Sequence, residues 1–185
     1  MADKQALITQ EEIGTKTRQV RLREFQANLA ERLRLATTTP QVRSRLGVLI
    51  GHQRYLLMLD DAGEIAPVPE MAVVPMTQPW FKGLFTLRGN LLTTIDLAHF
   101  MNGEPTPLDK NSRVMAFNER LQFNASILVT RMLGLRSLEL LRLVDAAPAP
   151  QSWLGPTYED ADGNQWTELS LTKLMRDERF LAVAR

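Results

Sequence analysis

The sequence predicts a mainly β protein: two small strand-rich lobes with short capping helices, preceded by a basic amphipathic helix. Three observations point there. Short apolar runs separated by Gly, Asp and Asn turns recur from residue 45 to residue 170, the spacing of strands rather than of long helices. Two segments, TTIDLAHFMNG and TELSLTKLMRDERF, share one grammar of strand, cap residue and closing helix, which points to two similar lobes. Only Lys16 to Ala36 carries a sustained helical stripe, with Leu22, Phe25, Leu29 and Leu33 at steps of three, four and four.

That first helix is distinct in charge as well as period. Residues 16–36 hold six basic and two acidic side chains, in a chain whose formal net charge is only +1. Packing on its own domain, lying on a membrane surface and meeting a partner helix are all compatible with such a face. Thr37-Thr38-Thr39-Pro40 ends it, by β-branching and by the bias of proline against a preceding helical residue. The expected division is a flexible stretch at 1–15, the helix at 16–36, a linker at 37–44 and a folded domain over 45–185.

The strands follow in order. Leu46–Ile50 and Tyr55–Leu59 form a hairpin about Gly51-His52-Gln53-Arg54, and Asp60-Asp61-Ala62-Gly63 is a turn whose adjacent carboxylates point apart. Glu64–Val68 and Met71–Val74 are edge-strand candidates, since Pro67, Pro69 and Pro75 punctuate them. Leu84–Leu87 and Leu91–Ile95 flank a turn in which Gly89 supplies φ > 0. Asp96 is an N-cap for Leu97–Asn102, which Gly103 ends. Val114–Phe117 and Leu121–Val129 form another hairpin, Trp166–Leu169 leads through Ser170 into a helix over Leu171–Arg179, and Pro148-Ala149-Pro150 and 158–164 are loops.

Composition narrows the chemistry. With 44% hydrophobic and 23% charged residues the chain has the makings of an ordinary core, and it has no run of about 18 apolar residues. Zero cysteines remove disulfides and thiolate chemistry, and the first residues lack the basic-then-apolar pattern of a signal peptide, so a cytoplasmic location is expected. His52 and His99 are far apart, with no ligand spacing between them. Asp160 to Asn164 begins like a calcium loop, but Leu169 stands where the closing Glu belongs. The expectation is no catalytic residue, no metal and no cofactor, and no nucleic acid, because one basic helix without stacking aromatics is a poor phosphate surface. What remains is a binding module, with a peripheral membrane or nucleic-acid module acting through the basic helix at 16–36 as the alternative expectation.

One stretch carries a resemblance. Pro79-Trp80-Phe81-Lys82-Gly83-Leu84-Phe85-Thr86-Leu87-Arg88-Gly89-Asn90-Leu91-Leu92-Thr93-Thr94-Ile95-Asp96-Leu97 resembles the hallmark of the CheW-like domain, the adaptor fold of bacterial chemosensory systems, matching at Gly83, Leu87, Arg88, Gly89, Asp96 and Leu97. It departs at Thr86, Thr93 and Thr130, where the family carries Asn, Pro and Asp. Weaker similarity runs over residues 45–179, and the added helix and divergent motif look most like the members that serve type IV pilus twitching motility. The resemblance implies two small five-stranded β-barrels without an active site, coupling a methyl-accepting chemoreceptor's signalling tip to the regulatory domain of a CheA-type histidine kinase. It implies a kinase-facing patch of Leu59, Ala62, Glu64, Lys82 and Gly83, with Arg88 facing the receptor, and recruitment to receptor arrays at the inner membrane, so that membrane association is indirect. For Arg88 itself a turn position held by a carboxylate such as Asp96 is a second expectation, compatible with the first.

Overall fold

A computed structural model describes residues 44–146 and 149–185. The expected basic helix at 16–36, the stretch before it and all of the linker but Ser44 lie outside the described residues, as does Pro148. Among the described residues, eleven strands are arranged in two sheets, one of six strands and one of five.

Both sheets close by the same device, a bent segment that supplies both edges. In the first sheet β8 (Arg131–Ser137) pairs with β1 (Ser44–Ile50), a 3-10 turn at Leu138–Leu140 redirects the chain, and β9 (Arg142–Asp145) pairs with β10 (Leu154–Glu159). In the second, β3 (Ala62–Pro67) pairs with β6 (Arg113–Phe117), and the same chain continues to Ala72, which bridges Leu84 of β4 (Phe81–Leu87). With each bent segment counted once, the fold is the two five-stranded barrels expected. Met71–Val74 makes only that isolated bridge instead of the expected strand, because Pro69 and Pro75 confine it to a single contact.

The two barrels are not the two halves of the chain. β1 and β2 (Gln53–Met58) join β8 to β11 (Gln165–Leu169) in one barrel, while β3 to β7 (Ala125–Val129) form the other. Each half runs hairpin, bent strand, hairpin, capped helix, and the halves exchange their leading hairpins. The parallel pairings preserve the correspondence: β2 lies beside β11, and β7 beside β5 (Asn90–Asp96). We call the barrel of β3–β7 continuous and the other split.

The helices follow the expected caps. The side chain of Asp96 accepts from His99 N–H at 3.3 Å to start α1 (Leu97–Asn102), and Gly103 at φ 77° ends it. Ser170 caps α2 (Leu171–Leu174), accepting from Lys173 N–H at 3.3 Å. The single helix expected over Leu171–Arg179 is instead two, because Asp177 turns the chain and caps α3 (Glu178–Leu181), accepting from Arg179 N–H at 2.9 Å and Phe180 N–H at 3.4 Å. The 158–164 segment is only partly loop, since Tyr158 and Glu159 belong to β10.

One core joins the barrels. Val48, Ile50 and Leu57 of the split barrel, Met115, Ile127 and Val129 of the continuous one, and Trp153, Leu171 and Phe180 from the C-terminal region pack in a single cluster. The opposite face of β6 and β7, with Val114, Ala116 and Leu128, packs with Phe85 and Leu92 inside the continuous barrel. Alternation along β6 therefore feeds two different cores, which is why that strand is apolar and buried from Val114 to Phe117.

Candidate functional site

Sequence and backbone geometry converge at the β4–β5 turn. Leu87 pairs with Asn90, and the two residues between them are both left-handed, Arg88 at φ 49° and Gly89 at φ 88°. This is the two-residue hairpin turn whose twist matches the flanking strands. The expected glycine geometry is present. For arginine the same conformation costs about 1–2 kcal/mol, so the turn carries a residue that local stability alone disfavours.

The arginine is held from across the barrel seam. Its Nε lies 2.9 Å from Oε2 of Glu64 on β3, the strand at the opposite edge of that sheet. The Arg88 side chain is 80% exposed and that of Glu64 34%, so solvent screening leaves such a pair roughly 0–1 kcal/mol. It orients the guanidinium more than it stabilises the fold. Asp96 is not the partner: it is fully buried, accepting from Thr106 N–H at 2.9 Å and Thr106 Oγ1 at 2.7 Å as well as capping α1.

The remaining expected residues fall around the same barrel. Lys82 and Gly83 lie at the end of β4 away from the Arg88 turn. Gly83, at φ 126°, sits at a bulge in the β4–β5 ladder, and a Cβ there would lie 2.3 Å from the carbonyl oxygen of Ala72. Its geometry is thus required by the bridge that closes the barrel. Leu59 is exposed on the 3-10 turn Leu59–Asp61 rather than in the strand expected, and half-buried Ala62 opens β3. The structure brings Glu64 and Arg88 into contact and places Leu59 and Ala62 where the chain crosses between barrels.

Several neighbours were not singled out in the sequence. Met58 and Ile65 add exposed apolar surface beside Leu59 and Glu64. A depression of about 450 Å³ at the mouth of the continuous barrel is lined by Glu64 and Arg88 together with Asn90, Asn118, Glu119 and Phe123. Asn118, Glu119 and Phe123 come from the β6–β7 connection and Asn90 from the first position of β5, places whose polar residues give no sequence signal of where they converge. Among the described residues no cluster of His, Asp or Glu could hold a metal ion, and no helix is long and apolar enough to cross a membrane.

The model of the CheW-like domain matches residues 44–179. The chain belongs to the CheW-like family. It shares 27% identity over 143 residues with Protein PilI of Pseudomonas aeruginosa, an alignment covering 76% of this chain and 80% of that protein. The crystal structure of the scaffolding protein TtCheW from Thermoanaerobacter tengcongensis superposes with a TM-score of 0.59 at 15% identity, over 71% of this chain and 90% of that one, a likeness of fold. CheW-like proteins are non-enzymatic scaffolds of chemotaxis-type signalling.

Two family departures have a physical reading here. Thr93, in place of proline, donates its N–H to the Asn124 carbonyl at 3.1 Å, a bond proline lacks. Thr130, in place of aspartate, sits between β7 and β8 and donates its N–H to Leu49 O at 2.9 Å and its hydroxyl to Gly51 O at 3.4 Å. Thr86 is simply exposed on β4.

Proposed function

We propose that this CheW-like protein is an adaptor that couples the signalling tip of a methyl-accepting chemoreceptor to the regulatory domain of a CheA-type histidine kinase, in the control of type IV pilus twitching motility. The observation that carries the reading is the Arg88 turn: an arginine kept outward in a left-handed conformation, oriented by a partly exposed carboxylate, on a CheW-like scaffold. Similarity to PilI supports the pilus assignment. The kinase-facing surface is formed by Leu59, Ala62, Glu64, Lys82 and Gly83, and the receptor-facing one by Arg88. Charges such as Glu64 and Lys82 set register and partner choice more than affinity. The protein works in the cytoplasm, recruited to receptor arrays at the inner membrane through the receptor.

The test is direct binding of the purified full chain to a CheA-type regulatory domain and to a receptor signalling tip. Both interactions are expected, and binding to neither overturns the proposal. Arg88→Ala weakens receptor binding with an unchanged melting transition; loss of folding together with binding would show that the turn, not the guanidinium, is what matters.

A further inference from the structure

Asp61 ends the 3-10 turn Leu59–Asp61, where the chain leaves the split barrel for the continuous one, and it is only 1% exposed. A carboxylate so placed requires partners, and two elements supply them, the β6–β7 hairpin and α2. Arg120, at the tip of the β6–β7 hairpin, directs Nη2 to Oδ1. Thr172 of α2 donates its hydroxyl to Oδ2 at 3.5 Å. The backbone carbonyl of Asp61 accepts from Asn118 N–H at 2.9 Å. Asn118 in turn caps the 3-10 turn that carries Arg120, accepting from Arg120 N–H at 3.0 Å, and its Nδ2 reaches Ala62 O at 3.5 Å.

Stability is a weak reason for such a pair, because a buried ion pair is often replaced by apolar side chains at no cost. Geometry is a better one. A charge buried against a single guanidinium, with a hydroxyl behind it, admits few positions of the turn. The residues around Asp61 are Met58 and Leu59, both exposed, and Ala62.

We infer that Asp61 and Arg120 are positioning residues: their ion pair holds the turn between the barrels so that Leu59 and Ala62 form a pre-set docking edge for the kinase regulatory domain. The identity of that partner rests on the adaptor reading; the holding of the turn does not. Asp61 acts through the turn alone, since its carboxylate is out of reach of any partner. Preorganisation of this kind raises affinity by removing the ordering cost of the loop on binding.

The experiment compares the full-length wild type with Asp61→Asn, near-isosteric but uncharged, with Arg120→Met, which keeps the stem, and with Arg120→Lys, which keeps the charge. Amide exchange across residues 59–63 and binding to the kinase regulatory domain and to the receptor tip are measured together. Asp61→Asn and Arg120→Met are each expected to speed that local exchange by about tenfold and to weaken kinase binding by about tenfold. Receptor binding stays within about twofold, and Arg120→Lys recovers most of the loss. Unchanged exchange overturns the inference, and so does a parallel loss of both partners that tracks the melting temperature, which is what a merely structural pair would give. Should Asp61→Asn not fold, the Arg120 variants decide, because that side chain is 49% exposed. A wild type that fails to bind the kinase domain overturns the adaptor reading, while the exchange rates still decide whether the pair holds the turn.

Discussion

Gly83→Ala tests whether the proposed kinase-facing glycine is there for the barrel. The new Cβ would stand 2.3 Å from Ala72 O, a backbone atom, and φ is 126°. Backbone strain of this kind costs about 1–3 kcal/mol. The clash also forces apart the bridge in which Ala72 N–H donates to Leu84 O at 2.8 Å and Leu84 N–H donates to Ala72 O at 3.0 Å, and each bond lost costs about 1 kcal/mol. The combined penalty is about 3–5 kcal/mol, a large part of a typical domain's stability. For a chain of this size it lowers the melting temperature by about 6–20 °C. Gly89→Ala is the matched control, with φ 88° but nothing within 4 Å of the added Cβ, so only a conformational cost of about 1–2 kcal/mol and a drop of about 2–8 °C apply. Thermal unfolding followed by circular dichroism, with amide exchange at Leu84, reads both. Equal drops in the two variants, or an unchanged Leu84 amide in Gly83→Ala, would refute the role given to the Ala72 bridge.

Three further outcomes follow from the same structure. Burial pushes the Tyr55 phenol up to about 12; the folded chain holds that proton more tightly than the unfolded one, so its contribution is intact below about pH 10 and is lost as pH rises toward 12. Ultraviolet titration should show a late tyrosinate component that Tyr55→Phe abolishes. The Asp160 carboxylate is held down to about 2, first by the Trp166 indole N–H that donates to it at 2.9 Å; its contribution is present above the ordinary carboxylate range and is lost as pH falls through about 2. Carboxyl NMR of Trp166→Phe should show Asp160 titrating closer to about 3.9, and an unmoved titration would assign the shift to the Asn164 and Asp162 donors instead. Asp96→Ala removes the acceptor of Thr106 and the cap of α1 together and is expected to cost about 2–4 kcal/mol in denaturant unfolding, whereas a cost below about 0.5 kcal/mol would mean that water replaces the carboxylate.

What could be read from the chain was what is local. Asp96 and Ser170 announce the helices that begin at the next residue, and Leu87-Arg88-Gly89-Asn90 announces its turn because a glycine interrupts two apolar runs. β8 and β9 were not anticipated: in RMLGLRSLELLRLVD the leucines keep neither a period of two nor one of 3.6, since the strand bends in the middle and much of it is exposed. β10 was hidden by Gly155 and Pro156, which are tolerated because the ladder shifts register between Leu154 and Thr157. At the site, Gly83 and Arg88 stood out in the motif, but the contact of Arg88 with Glu64 was invisible, since it joins opposite edges of a sheet. Asp61 was legible as a turn residue and not as a buried one. In a turn an aspartate has a sufficient local reason to exist, which masks any distant partner.

The hairpin exchange ties these observations together. Because each half of the chain lends its leading hairpin to the other barrel, the chain passes between barrels at Leu59–Asp61 and again at Thr130. Both passages are held by polar contacts that reach across them, the first by Arg120, Asn118 and Thr172 and the second by the carbonyls of Leu49 and Gly51. A crossing on a freely jointed chain would let two barrels reorient, and a docking edge built from both would have to be reassembled at each encounter. Here the shared core and the pinned passages leave little of that freedom. For the adaptor function proposed, fixed crossings would hold the kinase-facing and receptor-facing surfaces at a constant spacing, so that whatever the chain transmits it would transmit by shape.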